Sequence, residues 1–493
     1  MKNSTYLSTH KKGYIIGIIA TFMCAHSLML AAQPEEMISE MHHRMIVLSD
    51  IEAEVDDTES FVRLLLYSNE IDLKGLIATT SCWKKTSVAP EYIAKIIKAY
   101  GKVQPNLLKH DAGFPTADTL LSVVKKGLPK YGLLGVGDGK DSEGSDWIIK
   151  VLEEKDERPL YISVWGGANT LAQALYKIKH TKSAAEAKRL IAKLRVYTIS
   201  DQDDSGIWIR NNFPDLFYIV SPGDDYGSAT WLAINTVYKG TNNEVISNDW
   251  LAKNVQQGHG ALGVEYPDVS YGMEGDTPSW LSLVLNGLND PEHPDWGAWG
   301  GRYELYKPDF SKATKGSSGV PSEAETREIW TNAKDTYTPY ISNAYGRTVK
   351  LDSITFSDDK VTLWRWREDF QNDFAARMDW CIKSFQEANH PPVAVLLEPE
   401  AFKVKSGQGF ELDAIYSYDP DGDHISFLWF DYPEAGTYKK ALKMDGARNS
   451  HKIYIVAPVV DKEVTIHIIL KVTDKGTPPL SRYKRIIVEV LPK

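Results

Sequence analysis

Residues 49–58 read S-D-I-E-A-E-V-D-D-T, directly behind the apolar run 45–48. Asp50, Glu52, Glu54, Asp56 and Asp57 therefore crowd the end of what reads as a buried strand. Carboxylates in that position repel one another, and desolvation raises the cost of keeping them ionised. Exposure to solvent, pairing with Arg or Lys, or a bound divalent cation relieves this. The stretch carries no basic residue, so pairing needs a partner from elsewhere. Oxygen-only ligands suit a hard cation, Ca²⁺ or Mg²⁺. The plainer alternative is that Glu54, Asp56 and Asp57 cap the following helix and favour its N-terminal dipole. Residue types alone leave both open.

Other stretches offer polar or aromatic groups. "SDQDDSG" places Asp201, Asp203 and Asp204 behind a second strand, as a lining for sugar hydroxyls or as an N-cap with surface acids. "DPEHPDWGAWGGRY" brings Trp296 and Trp299 into a glycine-rich stretch that suits a loop over a pocket, its indoles stacking on sugar; core burial accounts for them equally well. Cys82 has no evident activating base and reads as pocket wall. "DPDGD" (Asp419, Asp421, Asp423) fits a Ca²⁺ loop, or more commonly a simple turn.

The elements that must carry these residues are legible as alternation. "RMIVLSD" precedes the helix "TESFVRLLLYS", "LKGLIATTS" precedes "APEYIAKIIKAYGKV", and "PLYISVWGG" precedes "NTLAQALYKIKH". "LRVYTIS" then leads into "SGIWIRNNF", and "LFYIVSP" into "ATWLAINTVYK". This predicts a mostly parallel sheet with helices on both faces over residues 44–389. Ligands of such sheets bind beyond the carboxyl ends of the strands, where these polar stretches lie. Pro391 and Pro392 mark a linker. Residues 393–493 hold only strand-like runs separated by turn signals, predicting an immunoglobulin-like or cadherin-like β-sandwich.

A net charge of −10 with no basic stripe argues against a nucleic-acid partner. Fourteen Trp and 25 Tyr are compatible with aromatic stacking on carbohydrate. Lys11 and Lys12, an apolar run and small residues at Ala31 and Ala32 read as a signal peptide over 1–32, leaving no stable membrane span after its removal. Export to the periplasm, cell surface or medium is expected, with Cys24 in a poor context for a lipid anchor. Only Cys82 and Cys381 then remain, so no disulfide framework holds the fold.

"LSDIEAEVDD" resembles the D-x-D-P-G-x-D-D signature of the nucleoside hydrolases. "LKGLIATTS", "PLYISVWGGANTLAQAL" and "YGMEGDTPSWLSLV" are similar to later segments of that family, in the same order. With "QDDSGIWIRNNFPDLFYI", "NGLNDPEHPDWGAWGGRYE" and "SYDPDGDHISFLWFDYPEAGTY", the chain resembles more closely exported bacterial proteins described as cellulose-binding. Those join a nucleoside-hydrolase-like domain to a β-sandwich. The resemblance implies one Ca²⁺ held by Glu52, Asp57, Asp276 and the backbone carbonyl of Trp165, with Asp56 on a sugar hydroxyl and Asp50 orienting the loop. It also implies Glu52 as the base. Glu52 and Glu54 stand where the nucleoside hydrolases have Asp and Gly, and Gly275 where many have a His that aids the leaving base; Glu274 is then the candidate acid, or else only a salt-bridge partner. The expected function is an exported Ca²⁺-dependent hydrolase of a glycosidic bond acting on an extracellular glycan such as plant cell wall. The alternatives are a non-catalytic cellulose- or polysaccharide-binding protein and, third, a nucleoside hydrolase. A homo-oligomer is compatible with all three.

Overall fold

The computed structural model describes residues 42–228, 230–309, 319–342, 349–445 and 448–493. The expected signal peptide lies outside them. Among the described residues no helix is long and apolar enough to cross a membrane.

Strand β1 (His43–Ser49) is followed by helix α1 (Asp56–Leu65), β2 (Ile71–Ala78), α2 (Pro90–Leu107), β3 (Val124–Lys126) and α3 (Glu143–Glu153). Then come β4 (Leu160–Val164), α4 (Asn169–Thr181), β5 (Leu194–Ser200), α5 (Ser205–Asn212), β6 (Phe217–Ser221), β7 (Tyr303–Tyr306), β8 (Ile329–Asn332) and α6 (Arg367–Trp380). The eight strands form one sheet in the order β3-β2-β1-β4-β5-β6-β8-β7, parallel except where β7 runs against β8.

Alternation along β1 shows why it is central. Successive side chains of a strand point to opposite faces. Met45 and Val47 join a core with Phe61 of α1 and Ile93 of α2, whereas Ile46 and Leu48 join the opposite core with Ile148 of α3 and Leu171 of α4. Both faces are thus covered. The chain winds outward from β1 in one direction through β2 and β3, and from β4 in the other through β5 and β6. The crevice between the carboxyl ends of β1 and β4 is therefore the sheet's switch point, where such folds admit ligands.

One expected helix does not form among the described residues. Residues 230–239 yield a 3-10 turn, Thr230–Leu232, in place of a full helix, with the Trp231 indole against Gly272 and its Cβ beside Gly275. Contact with that segment, which bears Asp276, overrides local propensity.

The C-terminal sandwich follows the expected runs. Ala401–Lys405, Ser481–Leu491, Val464–Thr473 and Ser426–Asp431 make one sheet; Gly409–Asp413, Lys452–Val456 and Met444–Asp445 make the other. Trp429 fills the core between them. The sandwich is joined firmly to the α/β part. Phe430, Tyr432 and Tyr483 enter the same apolar cluster as α1 and α6, and Arg485 donates to the carbonyls of Leu288, Trp296 and Gly297 at 3.0, 2.9 and 2.6 Å.

Candidate functional site

β1 ends in a turn closed by the Ala53 N–H donating to the Asp50 carbonyl at 3.0 Å. Its third residue, Glu52, has φ 72°, a left-handed backbone that a non-glycine residue adopts only under constraint. Asp50 is buried at 3% exposure, whereas Glu52 is exposed. Glu52 lines a hollow of about 350 Å³ with Glu54, Tyr92, Lys95 and Glu265. The expected base and metal ligand is not among the carboxylates that converge.

The acids that do converge are Asp56, Asp57 and Asp276, with carboxylate oxygens all within 4.8 Å of one another. Asp56 and Asp57 open α1, and the Ser49 hydroxyl at the end of β1 donates to Asp57. Burial, then the charges of Asp50 and Asp56, push the Asp57 carboxyl well up; burial, Asp56 and Asp57 do the same to Asp276. Asp56 is half-buried and is pushed up to about 7 by burial, with Glu54 and Asp50 adding repulsion. Burial also raises Asp50, with the Ser81 hydroxyl and Lys84 opposing it. The Lys84 ammonium donates to the Ile51 carbonyl at 2.9 Å.

Three glycines make room for this crowd. A Cβ on Gly166 would meet Asp50 Oδ1 at 2.6 Å, and one on Gly167 would strike the Asp203 carboxylate. A Cβ on Gly275 would meet Asp56 Oδ2 at 2.6 Å. A histidine at position 275 would displace Asp56, so the glycine is matched to the carboxylate beside it.

Glu274 is no free acid. Fully buried, it receives both Nε and Nη2 of Arg63 on α1 and accepts from the hydroxyls of Tyr266 and Thr277 at 2.8 and 2.9 Å. Its backbone N–H donates to Glu59 Oε2 at 2.7 Å. These bonds pin residues 274–276 onto α1, and Asp276 is thereby set opposite Asp56 and Asp57. Glu274 is a positioning residue.

The remaining expected residues divide. The Trp165 carbonyl accepts from Gln202 Nε2 at 2.6 Å, and its indole is buried on Phe61. Asp203 accepts from the N–H groups of Asn169 and Ser205 at 3.1 and 2.9 Å, and Asp204 from Leu133 N–H at 2.8 Å; both are occupied in holding loops at the sheet edge. Asp201 is locked in a buried pair with Arg210 at 2.8 Å. Trp296 and Trp299 do not roof the pocket. Trp296 stacks on His293 at 3.7 Å and meets His467 of the sandwich edge-on, and Trp299 is wholly buried between Phe370 and Tyr483. The area available for burial between sheet and sandwich drew them inward. Cys82 is buried, and burial pushes its thiol up to about 12.

The aromatic surface near the acids comes from residues the sequence reading passed over. The Tyr226 phenol is raised by burial and by the charges of Glu54, Cys82, Asp56 and Asp276. It packs on Trp231 at 5.2 Å, whose Cβ lies beside Gly275 and whose ring lies against Gly272. Both rings are half-buried. The aromatic pair in "DYGSATW" was the available signal.

Residues 44–303 match the family model described as cellulose-binding Sde182, nucleoside hydrolase-like domain, and residues 409–490 match that of the cellulose-binding protein Sde0182, C-terminal domain. The chain belongs to the Sde182 nucleoside hydrolase-like family. It is also similar to a solved structure from Saccharophagus degradans, a nucleoside hydrolase-related protein associated with carbohydrate metabolism. Identity is 35%, TM-score 0.77, and coverage 91% of this chain and 100% of that one. No curated protein matches. The Sde182 assignment bears out the expected family and the α/β-then-β architecture.

Proposed function

We propose that the protein binds an extracellular polysaccharide of the cellulose type through the crevice at the ends of β1 and β4, and that Asp56, Asp57 and Asp276 hold a Ca²⁺ ion there. The observation that carries this reading is the convergence of three carboxylates, two of them buried, with no arginine or lysine paired to them among the described residues. That donor set fits a hard cation. When bound, such an ion would coordinate vicinal sugar hydroxyls and offset the carboxylates' mutual repulsion. Tyr226 and Trp231 supply apolar faces for a pyranose ring beside it. The name of the Sde182 family and the carbohydrate association of the similar structure support a glycan ligand. Export, as the N-terminal sequence suggests, would place the site where such glycans occur.

Binding is favoured over hydrolysis because the expected catalytic pair is not assembled. Glu52 is exposed and outside the converging trio, and Glu274 is paired with Arg63. One observation keeps a hydrolytic reading in play: Asp56 retains solvent access and is pushed up to about 7, near where a general acid or base works. A pull-down over a glycan panel, with and without chelator and paired with a reducing-sugar assay, tests both. Chelator-sensitive retention without sugar release is the expected result. Sustained sugar release that Asp56→Asn abolishes would establish the hydrolase, and no retention on any glycan would overturn the proposal.

A further inference from the structure

Three buried oxygens where the linker meets the sandwich have no hydrogen-bond donor among the described residues: Asn389 Oδ1, Asp419 Oδ2 and Asp474 Oδ2. Each belongs to a side chain whose other polar atom is engaged. Asp474 Oδ1 accepts from the N–H groups of Gly476 and Leu480 at 2.9 and 3.0 Å, and from Asn389 Nδ2 at 3.2 Å. Asn389 Nδ2 also donates to the Pro478 carbonyl at 2.7 Å. Asp419 Oδ1 accepts from the N–H groups of Asp421 and Asp423 at 2.9 and 3.0 Å. All three side chains are thus clamped, each with one bare oxygen.

Asp474 is 0% exposed and Asn389 6%. The Asn389 amide lies directly on Gly476, where any Cβ would strike it. Asn389 bonds Asp474, and the next residue, His390, bonds Asp421, whose own N–H bonds Asp419, so one stretch of linker brings both acids together; the charge of Asp419 adds to the burial that raises Asp474. A buried acceptor without a donor costs about 1–3 kcal/mol, more if charged. Two carboxylates and an amide oxygen, with no nitrogen or sulfur ligand, make a donor set for a hard cation.

We propose that Asn389, Asp419 and Asp474 form a Ca²⁺ site in the sandwich, separate from the carboxylates of the sheet. It differs from the loop expected of "DPDGD". The Asp421 carboxylate is taken by His390, whose N–H and Nδ1 approach at 2.7 and 2.9 Å, so of that motif Asp419 supplies the free carboxylate oxygen. The Asn389 carbonyl accepts from Trp380 Nε1 of α6 at 2.9 Å. An ion at this site therefore ties the end of the α/β part to a turn and a strand end of the sandwich. The site is independent of the glycan proposal.

Equilibrium dialysis of the full chain against ⁴⁵Ca²⁺ up to millimolar concentration, the range of extracellular modules, tests it. Asp419→Asn and Asp474→Asn should each lower the bound stoichiometry by one Ca²⁺ per chain, while Asp421→Asn leaves it unchanged. Asp419 sits on a half-exposed turn, and Asn keeps the acceptor for its two N–H donors, so that variant reports even where Asp474→Asn fails to fold. A stoichiometry unchanged in Asp419→Asn, or lost equally in Asp421→Asn, would overturn the site.

Discussion

Arg63 and Glu274 form a buried ion pair that joins α1 to the segment bearing Asp276. α1 carries Asp56 and Asp57 at its start and Arg63 two turns later, so one helix holds two members of the acid trio and positions the third. Arg63 is held in turn by the Phe370 carbonyl at 3.0 Å and lies over the Phe374 ring at 4.0 Å.

Removing one partner of such a pair leaves an uncompensated buried charge and costs about 3–5 kcal/mol. Glu274→Gln should therefore lower the urea midpoint by a corresponding amount and weaken Ca²⁺ binding at the trio. Wild-type stability with a specific loss of turnover would instead make Glu274 a catalytic acid.

Glu52 makes the opposite case. Its side chain is exposed and its φ is positive, a conformation glycine adopts without strain. Glu52→Gly should leave Ca²⁺ and glycan affinity intact and raise stability by up to about 1 kcal/mol. A large loss of either affinity would return Glu52 to the site.

The switch point was legible in sequence because strand–helix alternation fixes which loops gather at one sheet edge, and Asp50, Asp56, Asp57 and Asp276 all arrived there. What decides between Asp50 and Glu52 was not legible: the sign of one backbone dihedral, set by how the turn closes. Glu274 reads from sequence as an acid or a salt-bridge partner, and its partner could not be named because Arg63 is remote in sequence and no local pattern announces their pairing. Trp296 and Trp299 could stack on sugar or on protein equally well, and the docked sandwich, unseen from either segment, offered them a core.

The tryptophans separate these roles. Trp299→Ala empties a buried position and should cost about 3–5 kcal/mol with glycan affinity per folded molecule unchanged. Trp231→Ala should weaken glycan binding several-fold with a far smaller loss of stability. Fluorescence titration alongside chemical denaturation distinguishes them; the reverse pattern would place the sugar at the sandwich seam.

Proton linkage gives a further check. Burial raises Asp50, Asp56, Asp57 and Asp276, with Asp56 at about 7, against about 3.9 in the unfolded chain. Each such group supports the fold while protonated, below about pH 4, and withdraws that support as pH rises through its folded value. Ca²⁺ competes with those protons and relieves the ionised state. The stabilisation that Ca²⁺ adds over chelator should be small at pH 5 and grow through pH 7 to 8. A Ca²⁺ effect equal or larger at pH 5 would contradict this assignment of the acids.

The most direct measurement is calorimetric titration of cello-oligosaccharides into the full chain in Ca²⁺, comparing the wild type with Asp276→Asn. Affinity should fall at least tenfold, about 1.4 kcal/mol, in a variant whose unfolding midpoint in chelator matches or exceeds that of the wild type. Equal affinity for the two proteins would show that the carboxylate trio is not where the glycan is held.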